Sequence, residues 1–281
     1  VSSERLGRSI VAAVLATALF FAICTVAVGA PILKPGDKMV FLGDSITEQR
    51  IYTRFVMDYF ALRYPGANIT FRNAGWGGDT SPGGLNRLQR DVLSLKPTIV
   101  SICFGMNDAG YGPFKQDVYD RYMTGMQGLV TELKKAGVKV VLLTPGCVDS
   151  DNNSDLNGYN DTLSRFAKGI VDLATKENLP VYNIHTLMFD AQTKAKKDDP
   201  NFTMIPDSVH PNDRGHILMA YGLLKALGCT EHASGLTIDI AKSAAITDRC
   251  KIKDLKITPD SIIFTRTDEA LPIYFSQDAQ A

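Results

Sequence analysis

The sequence predicts an α/β fold, a parallel sheet with helices on both faces. Three observations predict it. Short apolar runs alternate five times with segments of helical periodicity, as strand–helix repeats do. The first of these runs, residues 39–42, is continuously apolar, as a strand buried on both faces reads. Pro65-Gly66, Pro97 and Gly137 punctuate the helices.

The elements follow in order. Residues 39–42, Met-Val-Phe-Leu, are the first strand, ended by Gly43. Ile51, Phe55, Tyr59 and Leu62 then recur at helical spacing until Pro65-Gly66 stops them. Residues 69–71 form a second strand leading into the glycine-rich stretch 75–84, and Leu85, Leu88, Val92 and Leu95 mark a helix closed by Pro97. Residues 99–104 are the clearest buried strand. Tyr122, Met126, Leu129 and Leu133 mark the next helix, with Gly137 placed as its left-handed C-terminal cap. A fourth strand spans 138–143, a helix carries Leu163, Phe166, Ile170 and Leu173, and a fifth strand spans 181–184. The final helix follows Asp213, with Ile217, Tyr221 and Leu224 facing inward. Right-handed crossovers then favour a three-layer, flavodoxin-like, five-stranded sheet. Beyond about residue 227 the pattern turns to period two at 236–240 and 255–257, with a short strand at 261–265, which predicts a small β appendage. The expected organisation is a targeting segment over 1–30, the α/β domain over 31–230 and a β-rich extension over 231–281.

Composition narrows the function. Thirty basic side chains balance thirty acidic ones in 281 residues, so no electrostatic footprint for nucleic acid or an anionic membrane exists. Arg5 and Arg8 precede an uncharged apolar run that ends in Ala27, Gly29 and Ala30, the pattern of a secretory signal peptide. About 20 apolar residues also span a bilayer, so an uncleaved anchor is the alternative; the small residues before Pro31 favour cleavage. Either way the remainder is expected to be secreted or held in the cell envelope or periplasm. Cys24 follows Ile23, a poor setting for lipid attachment. Of the other cysteines, Cys103 and Cys147 lie in or just after strand-like runs, where small buried residues fit. Cys229 and Cys250 flank the start of the appendage and are the better candidates for a disulfide. No spacing suggests zinc, and neither metal nor cofactor is expected.

In an open parallel sheet, ligands bind beyond the carboxyl ends of the strands. Four polar clusters fall there: Gly43-Asp44-Ser45, residues 73–79, Gly105-Met106-Asn107-Asp108, and residues 207–210 in the loop before the final helix. A serine hydroxyl needs an adjacent base to act as nucleophile at neutral pH. Histidine can supply it if a third group fixes the ring. Asp207 and His210 are three apart, so one turn of loop can bring the carboxylate to Nδ1 and leave Nε2 for Ser45. The oxyanion of the intermediate needs preorganised donors. The backbone N–H groups of Ser45 and Gly78 and the side-chain amide of Asn107 are candidates; an aspartate at 107 would repel the charge.

The blocks Gly43-Asp44-Ser45-Ile46-Thr47, Gly78 within 73–80, Gly105-Met106-Asn107-Asp108 and Asp207-Ser208-Val209-His210 resemble those of the SGNH (GDSL-type) hydrolase family, in that family's order, over residues 38–227. Each block alone is weak; four at consecutive strand ends are strong. The resemblance implies the flavodoxin-like esterase fold, Ser45, Asp207 and His210 as the catalytic triad, and Ser45, Gly78 and Asn107 as the oxyanion hole. Thr47 stands where the five-residue GxSxG elbow would place its last glycine, which sets the chain apart from α/β-hydrolases. The expected activity is hydrolysis of a carboxylic ester, with a short acyl group on carbohydrate as the favoured small-molecule or carbohydrate substrate. A lysophospholipase or thioesterase, an O-acyltransferase, and a noncatalytic carbohydrate-binding relative are the alternatives. Trp76 and Tyr111 are candidates for substrate contact or for packing. His210, Asp213 and His216 make a poor metal set, and His185 and His232 read as structural or solvated.

Overall fold

The computed structural model describes residues 31–229 and 233–271; the expectations for residues 1–30 and for His232 lie outside the described residues. Five parallel strands form one sheet: β1 (Lys38–Gly43), β2 (Thr70–Gly75), β3 (Ile99–Cys103), β4 (Lys139–Leu143) and β5 (Val181–Tyr182), in the order β2-β1-β3-β4-β5. This is the flavodoxin-like order the alternation predicts. All five residues of β3 are buried, as are all but Lys38 in β1, because strands flank both and helices cover them. The edge strand β2 buries only Ala74.

The helices are α1 (Ser45–Glu48), α2 (Ile51–Arg63), α3 (Ser81–Asp91), α4 (Gln116–Lys135), α5 (Tyr159–Glu177), α6 (Ile184–Asp198) and α7 (Asp213–Ala226). α2 packs with α7, and α3 with α4 and α4 with α5, one helical layer for each face of the sheet. Gly137, at φ 75°, follows α4 as the left-handed residue expected there. No helix among the described residues is long and apolar enough to cross a membrane.

Three expectations are corrected. The fifth strand stops at Tyr182, because the Asn183 side chain accepts from the Thr186 N–H and starts α6, a helix the periodicity did not single out. The inner face of α7 is His216, Met219, Ala220 and Leu223, with Ile217 and Leu224 only partly buried and Tyr221 exposed; α2 likewise buries Tyr52 and Val56 more deeply than Ile51 or Phe55. Glycine sets the turn of α7: a Cβ on Gly222 would come within 2.4 Å of the Ile184 side chain, so this face lies against β5 and α6. Cys229 and Cys250 are buried free thiols, as are Cys103 and Cys147; Cys250 Sγ donates instead to the Gly235 carbonyl.

The appendage is two antiparallel hairpins, β6 (Gly235–Asp239) with β7 (Ala244–Asp248), and β8 (Cys250–Ile257) with β9 (Ile262–Asp268). The second is irregular between Lys253 and Lys256, where Asp254 takes a positive φ of 56°.

Candidate active site

The register brings the functional loops level. Gly43, the last residue of β1, pairs with Gly75 of β2 and with Cys103 of β3. The segments after β1, β2 and β3 therefore leave the sheet at one edge, around the point where strand order reverses. Gly75 is required there by space: a Cβ would lie 2.2 Å from the Glu48 backbone nitrogen of α1. Gly78 is required by conformation, at φ 71° with open space around the missing Cβ.

Ser45 is the first residue of α1, and Asp44 caps that helix by accepting from the Ile46 N–H at 3.0 Å. Ser45 Oγ lies 2.9 Å from His210 Nε2. His210 Nδ1 lies 2.8 Å from Asp207 Oδ2, while Asp207 Oδ1 accepts from the backbone N–H groups of Val209 and His210. A serine 165 residues from its histidine partner thus meets it at the sheet edge. Partial burial pushes the Asp207 carboxyl up, but the two backbone donors and the His210 ring outweigh it and hold it below the usual carboxylate range. An ionised Asp207 keeps the Nδ1 proton on His210 and leaves Nε2 as the acceptor for a hydroxyl proton.

Neither the Ser45 nor the Gly78 backbone N–H has a hydrogen-bond partner among the described residues. Asn107 Nδ2 donates one bond, to the Asp79 carbonyl at 2.9 Å, and its Oδ1 accepts from the Tyr111 hydroxyl at 2.7 Å. One amide hydrogen of Asn107 is left over. Trp76 is 59% exposed and follows the end of β2. Its own amide donates to the Gly43 carbonyl, which fixes the turn that carries it.

Several supporting residues carry no spacing signal in the sequence. Arg87 donates to Asp79 Oδ2 at 2.7 Å, to the Ala74 carbonyl at 2.8 Å and to the Gly43 carbonyl at 3.1 Å. One guanidinium thereby ties the ends of β1 and β2 to the loop that holds Gly78. Asp149 N–H donates to the Ser208 carbonyl, and Asp149 itself pairs with Lys196 at 2.6 Å, so the strained Ser208 (φ 73°), next to Asp207, is braced by the segment that follows β4. Asp108 accepts from both the N–H and the hydroxyl of Ser81, which anchors the loop of Asn107 to the start of α3.

Burial shapes the charges. It pushes the Asp44 carboxyl up to about 7, despite the Ile46 N–H that favours the anion, and Asp108 up to about 6. Below about pH 7 a protonated Asp44 adds no negative charge beside Ser45. Burial pushes His216 down to about 4; its Nε2 bonds Gln49 Oε1 at 2.9 Å and its ring stacks on Tyr52. His216 is thus a neutral packed histidine, and His185 is buried against Phe189. Among the described residues no group of three or more His, Cys, Asp or Glu side chains could hold a metal ion.

Comparison with known proteins shows what the chain is similar to. The GDSL-like Lipase/Acylhydrolase family description matches residues 41–218. Acetylxylan esterase of Geobacillus stearothermophilus is 27% identical over 219 residues, covering 69% of this chain and 94% of that enzyme. A solved structure of a gut microbial diltiazem-metabolizing enzyme superposes with a TM-score of 0.74 at 30% identity, covering 87% of this chain. The chain spans 60% of that longer enzyme. A catalytic mutant of the Geobacillus stearothermophilus acetylxylan esterase has the same fold, with a TM-score of 0.59 at 24% identity over 70% of this chain and 97% of its own.

Proposed function

This chain belongs to the GDSL-like lipase/acylhydrolase family and is a hydrolase of ester bonds, and within that class we propose that it removes short acyl groups, acetyl foremost, from carbohydrate through an acyl-serine intermediate. The observation that carries the mechanism is the hydrogen-bonded series Ser45 Oγ, His210 Nε2, His210 Nδ1, Asp207 Oδ2.

Ser45 Oγ attacks the ester carbonyl carbon as its proton passes to His210 Nε2. The carbonyl oxygen becomes an oxyanion, which the N–H groups of Ser45 and Gly78 and the spare amide hydrogen of Asn107 receive. Collapse breaks the bond to the alkoxy oxygen, His210 returns the proton to it, and the alcohol departs from acyl-Ser45. Water then loses a proton to His210 as it attacks the acyl carbon, and the carboxylic acid leaves with Ser45 restored. Asp207 steadies the imidazolium at each stage.

The acetylxylan esterase relative supports the acyl group and the alcohol class. The exposed Trp76 supports a sugar, because a flat indole stacks on the apolar face of a pyranose ring. Export through residues 1–30 would bring the enzyme to a polysaccharide outside the cell.

Hydrolysis of p-nitrophenyl esters of increasing acyl length by the chain from Pro31 onward tests the reading, with Ser45→Ala in parallel. Activity should fall steeply beyond acetyl, and the variant should lose at least about 10⁴-fold in kcat while unfolding at the wild-type temperature. Activity that rises with acyl length moves the substrate to lipids. Equal activity in wild type and variant removes Ser45 from the mechanism.

A further inference from the structure

Asn107 is held from both sides. A backbone carbonyl can only accept, so the Asp79 carbonyl at 2.9 Å must face Nδ2, and the Tyr111 hydroxyl at 2.7 Å must then face Oδ1 and donate to it. A carboxamide that rotated by half a turn would offer its oxygen where a donor is needed. We propose that Tyr111 is a positioning residue for ester hydrolysis, locking the Asn107 carboxamide with its spare N–H toward the oxyanion. The proposal rests on the reading of Asn107 as an oxyanion donor.

The surroundings of Tyr111 are built for this. Its backbone is left-handed, at φ 56°, a conformation bulky residues rarely adopt and one that persists where neighbours determine it. Its ring lies 5.3 Å from that of Tyr159, tilted by 30°. The Tyr159 hydroxyl in turn donates to the carbonyl of Met106, the residue before Asn107. Asn107, Tyr111, Tyr159 and Met106 thus close a ring of contacts, with Tyr159 fixed on α5 as its first residue. Partial burial, and then the Asp44 and Asp207 carboxylates, both ionised in the alkaline range where a phenol titrates, push the Tyr111 hydroxyl above its usual range, so it stays a donor throughout the working pH. Donation to Oδ1 also polarises the amide and makes its N–H a better donor. The hydroxyl is therefore committed to Asn107, while the ring itself stays 37% exposed.

A double-mutant cycle on p-nitrophenyl acetate tests the proposal. Tyr111→Phe keeps the ring and its contact with Tyr159 and removes only the hydroxyl. It should lower kcat about tenfold, the worth of one hydrogen bond to a committed polar group, with KM unchanged. In an Asn107→Ala background the same change should leave kcat within about twofold, because the hydroxyl acts only through the amide. An equal loss in both backgrounds, an effect on KM alone, or no effect in the wild type overturns it. The side-chain amide signals of Asn107 in a ¹⁵N–¹H spectrum give a readout free of turnover: they should shift or broaden in Tyr111→Phe, and identical signals also overturn the clamp. Full kcat in Asn107→Ala alone would instead remove the oxyanion reading, a different failure.

Discussion

Strands β3 and β8 both carry β-branched isoleucines, β3 in a nearly continuous apolar run and β8 interleaved with lysines, and they end in opposite surroundings. All five residues of β3 are buried, whereas of the eight in β8 only Cys250 is. The difference is coverage. β3 has β1 and β4 as neighbours and a helical layer over each face, while β8 has β9 alone in its sheet. The hairpins consequently leave Ile246 75% and Ile263 60% exposed, and their ion pairs, such as Arg266 with Asp268, lie in solvent. Strand propensity and alternation select a pairing partner; they do not provide burial, and burial is what stabilises.

That contrast predicts where substitutions hurt most. Ile102 sits in the middle of β3, paired with Leu42 and Leu142 and with no exposed surface. Ile102→Ala removes buried carbons that cannot be replaced by water, and should cost about 2–5 kcal/mol in urea unfolding. A loss below about 1 kcal/mol would mean that the sheet is not the stabilising centre of the molecule.

The same contrast explains what the sequence made legible. Five short apolar runs identify the sheet, because two-face coverage leaves little room for polar residues in β1, β3 or β4; among the buried positions of these strands only Ser101 is polar. The candidate site residues were legible for a related reason. Ser45, Gly78, Asn107, Asp207 and His210 stand at strand ends or in the loop before α7, where polar clusters contrast with the apolar runs beside them. Arg87, Asp149 and Lys196 were not legible. Their work is to hold backbone carbonyls and one another across tens of residues, and no local spacing encodes such a contact. α6 was missed because Ile184, Met188 and Gln192 bury a mixed polar and apolar stripe, which dilutes the helical period. The faces of α2 and α7 were misread by about one position, since small residues such as Gly215 and Gly222, not large apolar ones, decide how closely α7 approaches.

Titration separates the regions next. The α/β region buries Asp44 and His216, whereas most of the hairpin charges are exposed. Asp44 holds its proton up to about 7 when folded but only to about 4 when unfolded, so its contribution is full at low pH and is lost as pH rises from 4 to 7. His216, lowered to about 4, works the other way: stability is lost as pH falls from about 6.5 toward 4. The two slopes oppose each other, which flattens the wild-type curve. Asp44→Asn retains an acceptor for the Ile46 N–H and removes one slope. Relative to wild type it should gain about 2–4 kcal/mol between pH 4 and pH 7.5, read from urea midpoints at both values. A constant difference across that range would show that Asp44 ionises freely in the folded protein.

The smallest effect is expected where the hairpins are most apolar. Ile246 is paired across the strand with Thr237 and is already three-quarters in water, so folding removes little of its surface. Ile246→Thr keeps the β-branch that suits a strand and discards only carbon that solvent already reaches. Unfolding free energy should change by less than about 0.5 kcal/mol, and hydrolysis of p-nitrophenyl acetate should not change, because the Ser45–His210–Asp207 series is hydrogen-bonded within the α/β region. A loss of more than about 2 kcal/mol would mean that the side chain is covered in solution. The hairpins would then have a buried face of their own, and the contrast with the sheet would be one of degree.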